Sequence, residues 1–184
     1  TFTPASYMEG VQGQLEREPG MTVASWQQRP ESRGTVRARS ADPFDAPIIN
    51  PNYLAEEIDR RVLLGAMKLA RRLLQSRPLA PYFEREDFPG PSVQSDDELL
   101  GADKERGTTT FHPAGTCRMG PANDPLAVVD DQLRVRGLEG LRVVDASIMP
   151  TMLSANLNAA TMMLADKASD LIRGKTAPEA IVVA

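Results

Sequence analysis

Apolar and polar residues follow two clear rhythms along this chain. Between residues 54 and 75, Ile58, Val62, Leu69 and Leu73 recur at intervals of four or seven with charged residues between them, the spacing of one helix face. Pro78 predicts where that helix stops, since proline lacks the N–H and its ring clashes with the preceding turn. Residues 158–173 set Ala160, Leu164, Ala168 and Leu171 on one stripe, with Gly174 placed to take a left-handed C′ position. Asp96-Asp97-Glu98 before Leu99-Leu100 reads as an acid-rich helix start. Residues 33–39 instead alternate small or apolar with basic side chains, the period of a half-exposed strand, and residues 21–28, around Trp26, are β-compatible. With Pro30 and Ser32 between them, these two segments are expected to pair as antiparallel neighbours.

Shorter strand-like pieces follow at 127–130, 133–136 and 141–145, the last running through small residues to Pro150, as a strand does when it leads into a functional loop. Residues 1–20 carry Pro4, Gly10, Gly13, Pro19 and Gly20 and read as a loop-rich opening. Residues 41–47 are a turn built on Pro43, Pro47, Asp42 and Asp45, and 81–95 is turn-rich. The tail after Gly174 is small and polar before Ile181-Val182-Val183, and is expected to be poorly ordered.

Composition narrows the class. The 184 residues suffice for one core, or for one domain with a piece of another. Hydrophobic residues at 41% and charged residues at 25% exclude disordered and collagen-like chains. A net charge of -4, with arginines interleaved among acids, excludes a nucleic-acid partner, whose phosphates need clustered cations. No run nears the roughly 20 apolar residues of a membrane span. Cys117, the single cysteine, forms no internal disulfide and suits a reducing compartment, so a cytoplasmic location is expected. The start, Thr1-Phe2-Thr3-Pro4, lacks the charged and apolar regions of a secretory leader. It also lacks an initiating Met, so the chain reads as a fragment.

Few residues offer chemistry. His112 is the only histidine, in the Gly- and Pro-punctuated run Thr110-Phe111-His112-Pro113-Ala114-Gly115-Thr116-Cys117-Arg118-Met119-Gly120. An imidazole ordinarily titrates near neutrality, which makes it an acid–base candidate, although a lone histidine is more often structural. A metal site would need further His or Cys ligands that the chain does not have, and a Cys–His nucleophile would need the two side chains adjacent in space, so no metal is expected and Cys117 reads as a packing residue. Ser154, Asn156 or Asn158 is expected to cap the last helix, whose first amides are equally suited to face an electron-rich ligand edge. Met149, Met152, Met162 and Met163 read as core filler. Neither G-x-G-x-x-G nor G-x-x-x-x-G-K-[ST] occurs, so no phosphate-cradling loop is present.

Several ordered blocks together resemble the C-terminal region of the glucose-methanol-choline (GMC) family of flavin oxidoreductases. They are Arg29-Pro30-Glu31-Ser32-Arg33-Gly34-Thr35-Val36, Ser40-Ala41-Asp42-Pro43, the His112 to Gly120 run, Val128-Val129-Asp130, Leu133-Arg134-Val135-Arg136-Gly137-Leu138, Leu141-Arg142-Val143-Val144-Asp145-Ala146-Ser147-Ile148-Met149-Pro150 and Asn156-Leu157-Asn158-Ala159-Ala160-Thr161. Order and spacing agree from about residue 21 to 173. The Thr-Cys-Arg-Met-Gly form of the loop and the Asn at position 156 resemble the family's choline-dehydrogenase-like and bacterial alcohol-dehydrogenase members.

The resemblance implies an α+β fold: an antiparallel sheet with packed helices in residues 1–126 as part of a substrate-binding domain, 127–174 as a strand–helix segment completing a Rossmann-type FAD domain, and 175–184 as a tail. It implies FAD as cofactor and an alcohol as small-molecule substrate, oxidised to an aldehyde or ketone with hydride passing to flavin N5, and it leaves the electron acceptor open. His112 and Asn156 match the family's catalytic pair; Asp145, Ala146, Asn158 and Ala159 match positions beside the cofactor. The family's N-terminal FAD-binding portion, with its glycine-rich loop, is the missing partner. On that account the chain alone is expected to be inactive. The competing expectation is a non-catalytic binding or assembly module that cannot hold FAD by itself.

Overall fold

The computed structural model describes residues 1–8 and 13–176; the apolar stretch 181–183 and Gly10 lie outside the described residues. Among the described residues the fold is α+β, with two small antiparallel sheets and three α-helices. Its backbone separates into two compact units, one of Thr1–Gly34 with Pro51–Thr109, the other of Thr35–Asn50 with Thr110–Ala184.

In the first unit, β1 (Phe2–Thr3) pairs antiparallel with β2 (Thr22–Val23), setting Phe2 opposite Val23. This corrects the expected partnership of 21–28 with 33–39. Strands of two residues are too short to show alternation, so the sequence pattern gives only loop at 1–8. Helix α1 spans Glu57–Leu74 as expected, but its buried face holds Asp59 and Leu63, while Leu69 and Leu73 are exposed. The face lies one residue beyond the expected stripe. Adjacent leucines at 63–64 and 73–74 make the apolar side ambiguous, and a charged residue at 59 conceals the inward position.

Asp59 is inward because the chain around Pro30 wraps it. Its carboxylate accepts the N–H groups of Glu31 at 3.0 Å and Ser32 at 2.8 Å, and the Ser32 hydroxyl at 2.6 Å. Ser32 Oγ in turn accepts the N–H of Glu56, the residue before α1. Helix α2 (Asp96–Arg106) begins with a reciprocal cap: Ser95 Oγ accepts the Glu98 N–H, and the Glu98 carboxylate accepts those of Ser95 and Gln94. It packs on α1, with Leu99 fully buried. The Arg71 guanidinium reaches Glu86 through three donor–acceptor contacts of 2.8–3.0 Å and also donates to the Gly90 carbonyl, fastening the turn-rich segment to α1.

The second unit contains a hairpin, β3 (Thr35–Arg37) with β4 (Ile48–Asn50), Val36 facing Ile49. Its six strand residues are all exposed. The loop at 41–47 joins them, with Asp42 accepting the Phe44 N–H as the turn chemistry predicts. The expected strands at 127–130, 133–136 and 141–145 form single bridges instead: Met119 with Val129, Val129 with Val135, and Arg134 with Arg142. They enclose a core of Val129, Leu133, Ile148 and Ala168, against which Val143, Val144 and Leu164 pack. Ala168 comes from α3 (Asn158–Ile172), whose stripe faces inward as predicted. The helix ends where expected. Gly174 has φ 66° and donates to the Leu171 carbonyl, while Lys175 donates to that of Asp170, the paired closure of a Schellman motif.

Candidate active site

All six expected site residues fall in the second unit. His112 is half-buried, between Phe111, with φ 57°, and Pro113. Its loop is pinned by backbone to the segment after 144. The Cys117 N–H donates to the Ser147 carbonyl at 2.9 Å and that of Met119 to the Ile148 carbonyl at 2.7 Å. The far end is closed by the Arg118 guanidinium on the Asp124 carboxylate, and the Arg118 carbonyl accepts the N–H groups of Val128 and Val129. Arg118 Nε is buried with no hydrogen-bond partner among the described residues. A Cβ at Gly120 would lie 2.9 Å from Asp124 Oδ2 and from Ala127 Cβ, so the lock requires glycine there. Loop 112–120 and segment 145–149 are therefore one piece of structure.

Asp145 caps the short 3₁₀ turn Ala146–Ile148, its Oδ1 accepting the Ser147 N–H at 2.8 Å. Asp145 thus serves as a turn cap; it is otherwise exposed, and Ala146 is half-buried. The chain then passes through Pro150 to Asn156, Asn158 and Ala159, all exposed. The helix start departs from expectation. Its N-cap is Leu157, with no side-chain cap, in place of Ser154, Asn156 or Asn158. The first helical bond runs from the Thr161 N–H to the Leu157 carbonyl, so the amides of 158–160 have no acceptor within the helix. Asn156 is thereby left without the structural task foreseen for it. No hydrogen bond among the described residues joins His112 to Asn156 or engages either side chain.

The methionines divide. Met149 is buried, but Met162 and Met163 are 65% and 62% exposed on α3, so the core-filler expectation fails for these two. Among the described residues, no three His, Cys, Asp or Glu side chains gather as a metal site. Gly115, Arg118 and Asp124 went unremarked as site-builders in the sequence. Only the Gly-punctuated run around His112 hinted at them, because an ion pair between positions six apart in a loop leaves no periodic trace.

The family model for GMC oxidoreductase matches residues 30–165. The chain is 46% identical to an alcohol dehydrogenase (acceptor) of Pseudomonas putida, over 78% of this chain and 26% of that protein. It is 48% identical to the mitochondrial choline dehydrogenase of Homo sapiens, over 81% and 25% respectively. Among solved structures, pyridoxine 4-oxidase from Mesorbium loti superposes with a TM-score of 0.74 at 37% identity, covering 82% of this chain and 29% of that one. An FAD-dependent oxidoreductase from Chaetomium thermophilum superposes at 0.73 and 30% identity, covering 80% and 25%. The chain spans about a quarter of the length of the curated relatives it matches.

Proposed function

Because the chain belongs to the GMC oxidoreductase family, we propose that it carries the proton-handling half of an FAD-dependent alcohol-oxidising site, in which His112 and Asn156 act on the substrate hydroxyl. The observation that carries this reading is the pinning of the His112 loop onto 147–148, in the unit where α3 begins with uncapped amides beside an exposed Asn156. A bound flavin would supply the acceptor for the hydride that leaves the alcohol carbon. His112 takes or holds the hydroxyl proton and stabilises the developing alkoxide. Asn156 donates its amide N–H to the same oxygen and so fixes the orientation of the carbinol C–H.

The residues fit a flavin on the chemistry of their donors. The N–H groups of Asn158 and Ala159, which have no acceptor within the helix, favour negative charge, as any helix start does, and Asp145 keeps one carboxylate oxygen beyond its bond to Ser147. We assign residues 127–174, which supply the Val129–Ile148–Ala168 core, to completion of the FAD-binding domain, and 1–126 to the substrate domain. No helix among the described residues is long and apolar enough to cross a membrane, and the unpaired Cys117 supports placing the protein in the reducing cytoplasm. The test is His112→Ala in a protein that extends this chain to the length of its relatives. Turnover of alcohols with a dye acceptor should fall by roughly 10² to 10⁴ while bound flavin is unchanged. A variant that keeps its flavin and turns over within about threefold of the parent, far short of the usual effect of losing a base, would refute the assignment.

A further inference from the structure

His112 stands in a short arch whose backbone is left-handed at both ends, at Phe111 with φ 57° and at Gly115 with φ 84°. A bulky aromatic residue rarely takes that conformation and keeps it only where the surroundings over-determine it. At Gly115 the determining contact is visible. A Cβ built there would sit 3.2 Å from the Met149 carbonyl oxygen, closer than ordinary van der Waals contact, whereas the glycine hydrogen fits. Directly beyond it come the bonds of Cys117 to Ser147 and Met119 to Ile148. The arch thus closes on 147–149 through backbone contacts, and a side chain at position 115 would hold it open.

We propose that Gly115 is a positioning residue for His112: by letting residues 111–115 seat against the Met149 carbonyl, it sets where the imidazole stands. The inference rests on the catalytic reading of His112 and adds a determinant that does not touch substrate. Gly137 provides an internal control. It too is left-handed, at φ 77°, but a Cβ there meets nothing within 4 Å. Alanine at either position strains the backbone similarly, and only alanine at 115 also presses on Met149.

The experiment compares Gly115→Ala, Gly115→Asn and Gly137→Ala in the flavin-loaded, extended protein, using an alcohol that the parent oxidises. Gly115→Ala is expected to lower kcat by roughly ten- to a hundredfold, the scale of a small misplacement of a reacting group, with little change in KM. Gly137→Ala is expected to keep the parental kcat and KM. Asparagine tolerates the left-handed region yet still carries a Cβ, so Gly115→Asn should lose kcat as alanine does, and it carries the test if the alanine variant fails to fold. Parental kcat in Gly115→Asn, or equal losses in Gly115→Ala and Gly137→Ala, would overturn the proposal. The underlying reading is judged separately by His112→Ala: if that variant turns over normally, the failure belongs to His112 and not to the glycine.

Discussion

Asp59 shows how one charged residue can organise a unit from within. At 2% exposure, burial opposes its charge, but the Ser32 hydroxyl, the N–H groups of Glu31 and Ser32, and the Gln27 side chain outweigh that and hold its carboxyl below its ordinary 3.8. A depressed folded value means that the stabilisation is complete above the ordinary value and is lost as pH falls through the folded one. Asp59→Asn should therefore lower stability near neutrality by about 2 kcal/mol, the scale of a charged hydrogen-bond acceptor. The gap between parent and variant in urea unfolding should shrink only below about pH 4. A gap that is constant down into that acid range would show that the charge contributes nothing. Sequence pattern missed this residue because an inward carboxylate looks like any solvated one until its donors, some twenty-seven positions earlier, are known.

At the scale of elements, legibility followed length. Helices α1 and α3 span 18 and 15 residues, enough turns for a period to emerge, and the Asp96-Asp97-Glu98 start of α2 was plain from its acids. Strands of two or three residues cannot display alternation, so β1 was missed and β2 was given the wrong partner. The second unit's bridges hold by isolated pairings and a shared core rather than by ladders. The candidate site was suggested only by motif order, since among the described residues neither the His112 nor the Asn156 side chain has a hydrogen bond that local chemistry would announce. Ser95→Ala should cost about 1 kcal/mol by removing one half of the reciprocal cap. Amide exchange in the first turn of α2 is expected to rise, while α3 in the other unit exchanges as before. Unchanged protection at Glu98 would show that its carboxylate alone suffices.

On the scale of the whole molecule, the chain holds the His112 loop and the start of α3 but no glycine-rich phosphate motif. Titrating FAD with this chain alone should give no saturable change in flavin fluorescence, whereas the extended protein should be yellow as isolated. Saturable micromolar binding by the chain alone would show that it carries its own cofactor grip. The β3–β4 ribbon bears on any such experiment. Val36 and Ile49 lie exposed across from each other, and each strand keeps one outer edge without a partner among the described residues. Bare strand edges with apolar side chains invite pairing with other chains. Arg37 on the strand and Arg39 just beyond it are the gatekeepers. For the chain alone, the practical consequence is self-association that strengthens as salt screens those two charges.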